Sequence, residues 1–452
     1  MENYVGIDAI HFDIPKIHLP ISDLAIARGI DPMKLEKGLG LKKMTLPDVH
    51  QDAVVFAANA LQKLWDAENL SPEDIDRLYV GTESAVDGSK PIASYLLQFL
   101  AEQYGESRCL HIDIVDLTFA CIGGVDAMLN SLDYIRLNPD KKAIVICTDI
   151  AKYDLASTGE YTQGAGAVAL LLSADPSIMT INKEVGVSAA GVFDFFKPRR
   201  IIKKSDIQTT ADLPAFYLEE EVEIFKESPV FDGQYSNTCY TNRVVDAYHA
   251  LKKKKNIKEQ AYYNQWSKII MHLPYAYQAR RMFVSLYIQD NSSIRLELQD
   301  AEDEKSFIKI ISKSEDYKSF VQARIAGSEM ASSDIGNMYT GSIFMALISA
   351  LHDSVEKSED LERHCIGFLA YGSGSKSKAF EGILVDGYEQ KIKQLQLNQV
   401  LNQSTPIDFA TYELLHTKAQ KTSVLSPKNE YVFKGIVEDN PLQYGARMYS
   451  RV

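Results

Sequence analysis

Short apolar runs of strand length alternate with amphipathic segments of helix length along this chain, and the alternation occurs twice. In the first 175 residues the pattern predicts strands at 78–82, 112–117, 143–147 and 167–172 and helices at 92–103 and 121–135. The later chain repeats the grammar with a strand at 268–271, a helix at 337–351, a strand at 365–370, a glycine turn at 371–374 and a strand near 382–385. Such alternation predicts an α/β layered fold. Each half holds a small-residue helix that opens from a polar turn (Cys121-Ile122-Gly123-Gly124; Asn337 to Ser342), then an apolar strand. A glycine-rich segment completes each unit (Gln163-Gly164-Ala165-Gly166; Tyr371-Gly372-Ser373-Gly374). The expectation is one plan used twice, divided into 1–175 and 176–452. The polar stretches 197–227 and 249–259 read as surface insertions, and 290–322, around DAEDEK, as exposed helix and loop.

Charge and apolar patterning exclude several functions. With 48 basic against 61 acidic residues the formal net charge is −13, the wrong sign for a dedicated nucleic-acid binder. No apolar run approaches the roughly 18–20 residues that span a bilayer. The first twenty residues carry charges where a secretory leader needs an apolar core. A cytoplasmic protein without membrane contact is expected. The five cysteines (Cys109, Cys121, Cys147, Cys239, Cys365) show neither CxxC nor Cys/His metal spacing. Neither a disulfide framework nor a metal is expected, and most of the five should be small buried hydrophobes.

Three positions attract chemical attention. Cys121 falls where an apolar strand ends and a helix opens, so the helix dipole would lower its thiol pKa and make a nucleophile. Read alone, the position suits a buried packing cysteine equally well. His272 closes a strand two residues before Pro274, with Arg280 and Arg281 near in sequence, and a near-neutral imidazole there suits proton traffic or a structural role. Glu83 follows a strand at the end where ligands of α/β sheets sit, and partial burial would raise its pKa toward general-base range. The glycine-rich segments fit neither a phosphate loop nor a dinucleotide fingerprint. The basic runs 197–204 (KPRRIIKK) and 252–255 read as solvated faces, with phosphate contact as the alternative.

Taken together and in order, a set of motifs covering nearly the whole chain carries a resemblance. They are DPMKLEKGLG, GTES with Glu83, TFACIGG with Cys121, TDIA with Asp149, YTQGAGAVALLL, FDFFKP at 193–198, VFDGQYSNTCY, MHLPY with His272, IGNMYTGS with Asn337 and YGSGS with Ser373. The chain resembles the hydroxymethylglutaryl-CoA synthases, members of the thiolase-fold condensing enzymes. Ketoacyl synthases III and thiolases would show an HQAN-like histidine motif, which is absent. The resemblance implies a duplicated thiolase-like fold in five layers, α/β/α/β/α, and a homodimer formed through the nucleophile-bearing half. It implies condensation of acetyl-CoA with acetoacetyl-CoA and water, giving 3-hydroxy-3-methylglutaryl-CoA and CoA on the mevalonate route to isoprenoids. The CoA thioesters are substrates, and no cofactor is implied.

The resemblance also assigns residues. Cys121 would carry the acetyl group, Glu83 would take a proton from its methyl, and His272 with Asn337 would hold the ketone oxygen of the acceptor. Backbone N–H groups near Cys121 and Ser373 would hold the thioester oxygen. Thr162, Ser236 and Tyr339 match positions that line the substrate site, Asp149 and Asp194 match acids that shape it, and Arg281 matches a basic position near CoA. Two departures stand out: Tyr277 replaces a lysine that contacts CoA in the family, and Thr158 stands where relatives carry asparagine. Alternative readings are a β-branching synthase that takes its acyl group from an acyl-carrier protein, a non-catalytic partner subunit of thiolase fold, and a thiol-dependent hydrolase.

Overall fold

The computed structural model describes residues 4–203, 205, 221–299 and 303–452. Most of the expected insertion at 197–227, including Lys204, and the first three residues of DAEDEK lie outside the described residues.

Among the described residues ten strands join in one mixed sheet. In the first half Val5–Asp13 pairs antiparallel with Gly164–Ala174, which pairs antiparallel with Ala143–Ala151. Ala143–Ala151 then runs parallel to Arg77–Gly81, and Arg77–Gly81 parallel to the edge strand Asp113–Leu117. The second half repeats the same signs. Gly186–Ala189 and Met179–Ile181 pair antiparallel with Lys376–Leu384, which pairs antiparallel with Cys365–Gly372, which runs parallel to Lys268–Met271. A short antiparallel contact between Val5–Asp13 and Met179–Ile181 joins the two.

Helices alternate with these sheet halves to give the five layers. Ala53–Ala67 covers one face of the first half, and Gly123–Leu137 packs on the other. Ser342–Glu356 packs against Lys268–Met271, and Gly233–Lys254 covers Gly186–Ala189, Lys376–Leu384 and Cys365–Gly372. The apolar run AVALLL follows from this arrangement. Successive strand residues face opposite sides, so Val168, Leu170 and Leu172 enter the central core while Ala167, Ala169 and Leu171 enter the outer one.

The structure extends and corrects several sequence expectations. Most strands and helices start within a few residues of the predicted positions, but the helix expected from 121 begins at Gly123, and the one expected from 337 begins at Ser342, after a short 3₁₀ turn. The strand expected near 382–385 begins at Lys376, with Tyr371 and Gly372 of the expected glycine turn ending the strand before it. Residues 249–254 are no insertion: they end the Gly233–Lys254 helix. Its basic run is only half a solvated face: Lys253 and Lys254 are exposed, and the other two turn inward. Lys252 is buried with Asp290 at 2.6 Å, and Lys255 pairs with Glu381. The stretch from 290 does form helices, Ser292–Gln299, Glu304–Lys313 and Glu315–Arg324. Among the described residues no helix is long and apolar enough to cross a membrane.

Candidate active site

Strand register builds the first half of the site. Gly81 lies opposite Leu117 on one side and Cys147 on the other, in parallel pairs. Two residues on, Glu83 and Asp149 therefore leave the same carboxyl end side by side, and the Glu83 N–H donates to Asp149 Oδ1 at 2.8 Å. The segment after Leu117 turns back at Ala120, whose φ of 42° is strained for a residue with a side chain, and presents Cys121. Its sulfur donates to Glu83 Oε1 at 3.3 Å.

The second half supplies the opposing wall by the same device. Met271 pairs in parallel with Leu369, so His272 and, beyond Gly372, Ser373 emerge at the carboxyl ends of neighbouring strands. Tyr240 ties them together: its hydroxyl donates to the His272 carbonyl at 2.7 Å and its ring stacks on Tyr371 at 4.6 Å. The Tyr371 hydroxyl donates to Asp194, which also accepts the Gly374 N–H at 2.6 Å. The Ser373 turn lies against the Cys121 loop, for a Cβ on Gly372 would stand 2.6 Å from the Phe119 carbonyl.

Asn337 and Thr340 lock the halves together. Asn337 donates its backbone N–H to the Thr162 carbonyl at 3.0 Å, while its side-chain oxygen accepts from Tyr339 N–H (2.8 Å) and Ser342 Oγ (3.0 Å). Thr340 gives its N–H (3.0 Å) and its hydroxyl to Asp149 Oδ2. Tyr339 between them has φ 43°, mirroring Ala120. Cys121 is buried in a small apolar cluster with Ala151, Tyr153 and Tyr339, flanked by Phe195 and Phe231. Thr162 is buried on the same wall, its hydroxyl bonded to the Gly159 carbonyl at 2.8 Å.

The electrostatics correct three expectations. Burial first, and then the neighbouring carboxylate of Glu83, push the Cys121 thiol well above its ordinary value, so the helix start does not make a resting thiolate. Burial lowers His272 to about 3; the imidazole is neutral, and its Nδ1 is buried without a hydrogen-bond partner. No arginine acts on it: Arg280 pairs with Glu329 and stacks on Tyr277, and Arg281 is exposed, donating to the Gly38 carbonyl at 2.6 Å. Asp149 is raised to about 7 by burial and the Glu83 charge, against three hydrogen bonds that favour its ionised form, from the Thr340 hydroxyl, the Glu83 N–H and the Thr340 N–H.

Glu83, Cys121, Asp149, Thr162, Asn337 and Tyr339 are thus joined by direct contacts, with His272, Asp194 and Ser373 on the facing wall. Among the described residues no hydrogen bond joins the side chains of His272, Ser236 or Arg281 to Cys121 or Glu83. Ser236 lies half-buried in the first turn of Gly233–Lys254. The sequence reading missed Lys197, assigned to a solvated run. Its Nζ lies 3.2 Å from Glu83 Oε2, with side-chain exposures of 17% and 8%. The aromatic residues Phe193, Phe195 and Phe196 immediately before it were the available signal that this lysine enters a wall.

Family models described as hydroxymethylglutaryl-coenzyme A synthase N terminal and C terminal match residues 1–177 and 211–429. The hydroxymethylglutaryl-CoA synthase of Haloferax volcanii is 29% identical, covering 97% of this chain and 98% of its own. That of Enterococcus faecalis is 28% identical, covering 93% of each. The solved structure of MvaS in complex with 3-hydroxy-3-methylglutaryl coenzyme A is 28% identical with a TM-score of 0.81, covering 100% of both chains. An HMG synthase of the curacin biosynthetic pathway, in complex with an acetyl donor acyl-carrier protein, shares the fold at 21% identity and a TM-score of 0.77, covering 99% of this chain and 100% of its own.

Proposed function

Because the chain belongs to the hydroxymethylglutaryl-coenzyme A synthase family, we propose that it condenses acetyl-CoA with acetoacetyl-CoA and water. The products are 3-hydroxy-3-methylglutaryl-CoA and CoA, formed through an acetyl thioester on Cys121. The reaction is a step of the mevalonate route. The observation that carries the residue assignment is the contact of Cys121 with Glu83, a nucleophile and a carboxylate 3.3 Å apart at the carboxyl ends of parallel strands.

In the first step the Cys121 sulfur attacks the acetyl carbonyl, the acyl–sulfur bond to CoA breaks, and the thiol proton ends on the departing CoA sulfur. Loss of that proton frees Glu83 Oε1 to face the acetyl methyl. Glu83 then removes a methyl proton as the carbon adds to the ketone of acetoacetyl-CoA, and returns a proton to the alkoxide so formed. His272, neutral, and the Asn337 amide, whose oxygen is already committed, serve as hydrogen-bond donors to that oxygen. Water cleaves the Cys121 thioester last. The edge strand Asp113–Leu117, with Val115 exposed and one side unpaired within the described chain, supports a homodimer formed beside Cys121.

The test is intact-protein mass spectrometry after mixing with acetyl-CoA and then with acetoacetyl-CoA. An acetyl adduct mapped to Cys121, discharged with release of 3-hydroxy-3-methylglutaryl-CoA, is the expected result. One observation favours a second reading, a carrier-protein-dependent β-branching synthase. Tyr277, where the family has a CoA-contacting lysine, is packed against Gly40 and under Arg280. An adduct from an acetylated carrier protein but none from acetyl-CoA would move the protein there.

A further inference from the structure

We infer that Lys197 is a positioning residue for Glu83, holding the carboxylate for the carbon–carbon bond-forming step and not for acetyl transfer. The inference rests on the function proposed above. Glu83 has two oxygens with two different partners. Oε1 accepts the Cys121 thiol at 3.3 Å, and Oε2 lies 3.2 Å from Lys197 Nζ. Both side chains of the ion pair are mostly shielded from water, at 17% and 8% exposure, so the geometry is fixed by packing and is not a loose surface contact. The ammonium also stands 4.6 Å from the centre of the Tyr339 ring, which adds a face-on cation–ring contact.

The approach of Lys197 is set by residues on either side of it. Asp194 is bonded to Tyr371 and Gly374, and Phe195 pairs with Phe231 while its ring contacts Tyr153 and Tyr339. Pro198 follows and fixes its own φ. The segment therefore enters from the Ser373 wall and delivers one cation to the Glu83 wall.

Step selectivity follows from which contacts survive acetylation. In the resting site the thiol hydrogen bond itself orients Glu83. Once Cys121 carries an acetyl group that hydrogen is gone, and among the described residues Lys197 is the remaining side-chain partner that fixes which oxygen faces the methyl. A carboxylate on three rotatable bonds, released from it, loses its alignment with the carbon–hydrogen bond it must break, and misplacement by about 1 Å costs about 10²-fold.

The experiment compares full-length wild type, Lys197→Met and Lys197→Arg. Acetyl-Cys121 is read by intact mass and condensation by steady-state kinetics. For Lys197→Met we expect acetylation within about threefold of wild type, a fall in kcat of about 10²-fold with KM for acetoacetyl-CoA little changed, and build-up of acetyl-enzyme during turnover. Lys197→Arg should recover at least a tenth of the wild-type kcat. A kcat for Lys197→Met within twofold of wild type overturns the inference. So does a loss confined to KM for either thioester, which would make Lys197 a CoA contact, or equal loss of both steps without recovery by arginine, which would make it structural. Wild type that forms no adduct and no product sinks the proposed function itself; with wild type active, only the role of Lys197 is at stake.

Discussion

Burial and the neighbouring Glu83 carboxylate raise the cost of ionising Cys121, and that sets the order of events. A thiol buried beside a carboxylate stays protonated, so the resting enzyme guards its sulfur until a thioester is bound. Removing the carboxylate deletes a base and also deletes the like charge that holds the thiol protonated, and the two effects on acetyl transfer oppose. Condensation has no such compensation, because among the described residues Glu83 is the carboxylate hydrogen-bonded to the sulfur that will carry the acetyl group. Glu83→Ala should therefore still form acetyl-Cys121 while condensation falls by about 10²–10⁴-fold; condensation at the wild-type rate would show that Glu83 is not the base. Cys121→Ser should give no adduct. Sequence pattern reached these two side chains because each follows an apolar strand. It did not reach their environment, since the burial that holds Cys121 protonated and His272 neutral comes from residues outside their local pattern, such as Tyr339, more than two hundred positions after Cys121, and Tyr240, on the helix before the His272 strand.

Among the elements, the parallel triplet Arg77–Gly81, Asp113–Leu117 and Ala143–Ala151 works only if the Gly123–Leu137 helix lies directly on the Glu83 end of the strands. Gly81 permits it: a Cβ there would stand 2.3 Å from the Gly124 nitrogen, a contact that requires backbone to move. Gly81→Ala should destabilise by about 1–3 kcal/mol and weaken activity by displacing Glu83 and Cys121 together, measured by denaturant unfolding and by turnover. A stable, fully active variant would show that the layers tolerate separation. Apolar strands and small-residue helices were legible because burial on two faces leaves continuous apolar runs. The Gly233–Lys254 helix was not, because its buried face uses Tyr240, Tyr248 and Lys252 and its polar satisfaction comes from Asp290, far along the chain. Lys197 was misread for the same reason: a charged residue enters an interior only when a distant partner, here Glu83, receives it, and no local pattern encodes that partner.

Across the whole molecule six histidines, of which His18, His50 and His272 are buried, His11 and His416 half-buried and His249 exposed, tie stability to pH. Burial is the leading cause that lowers His11 to about 4 and His272 to about 3, and that lowers His18, His50, His249 and His416. Below about pH 6.5 the unfolded chain protonates these rings while the fold refuses the protons, so stability present above pH 6.5 is lost as pH falls toward the folded values. Each ring fully protonated in the unfolded chain alone contributes a slope of about 1.4 kcal/mol per pH unit. Asp149, raised to about 7, and Asp116 and Glu329, also raised, act in the opposite sense, because the fold binds protons there that the unfolded chain releases. Three such carboxylates do not balance six histidines. Relief of self-repulsion as the −13 charge is titrated also opposes the loss, but it is spread over the surface and screened within about 8 Å at 0.15 M salt. The midpoint of thermal unfolding should therefore fall steadily from pH 7.5 to 5.5 at that ionic strength. His272→Gln should lower the midpoint at both ends but make the fall shallower. A midpoint that holds or rises on acidification, or an unchanged slope in His272→Gln, would mean that the buried rings take up protons within the fold. In that case a cationic His272, and not a neutral donor, would face the developing alkoxide.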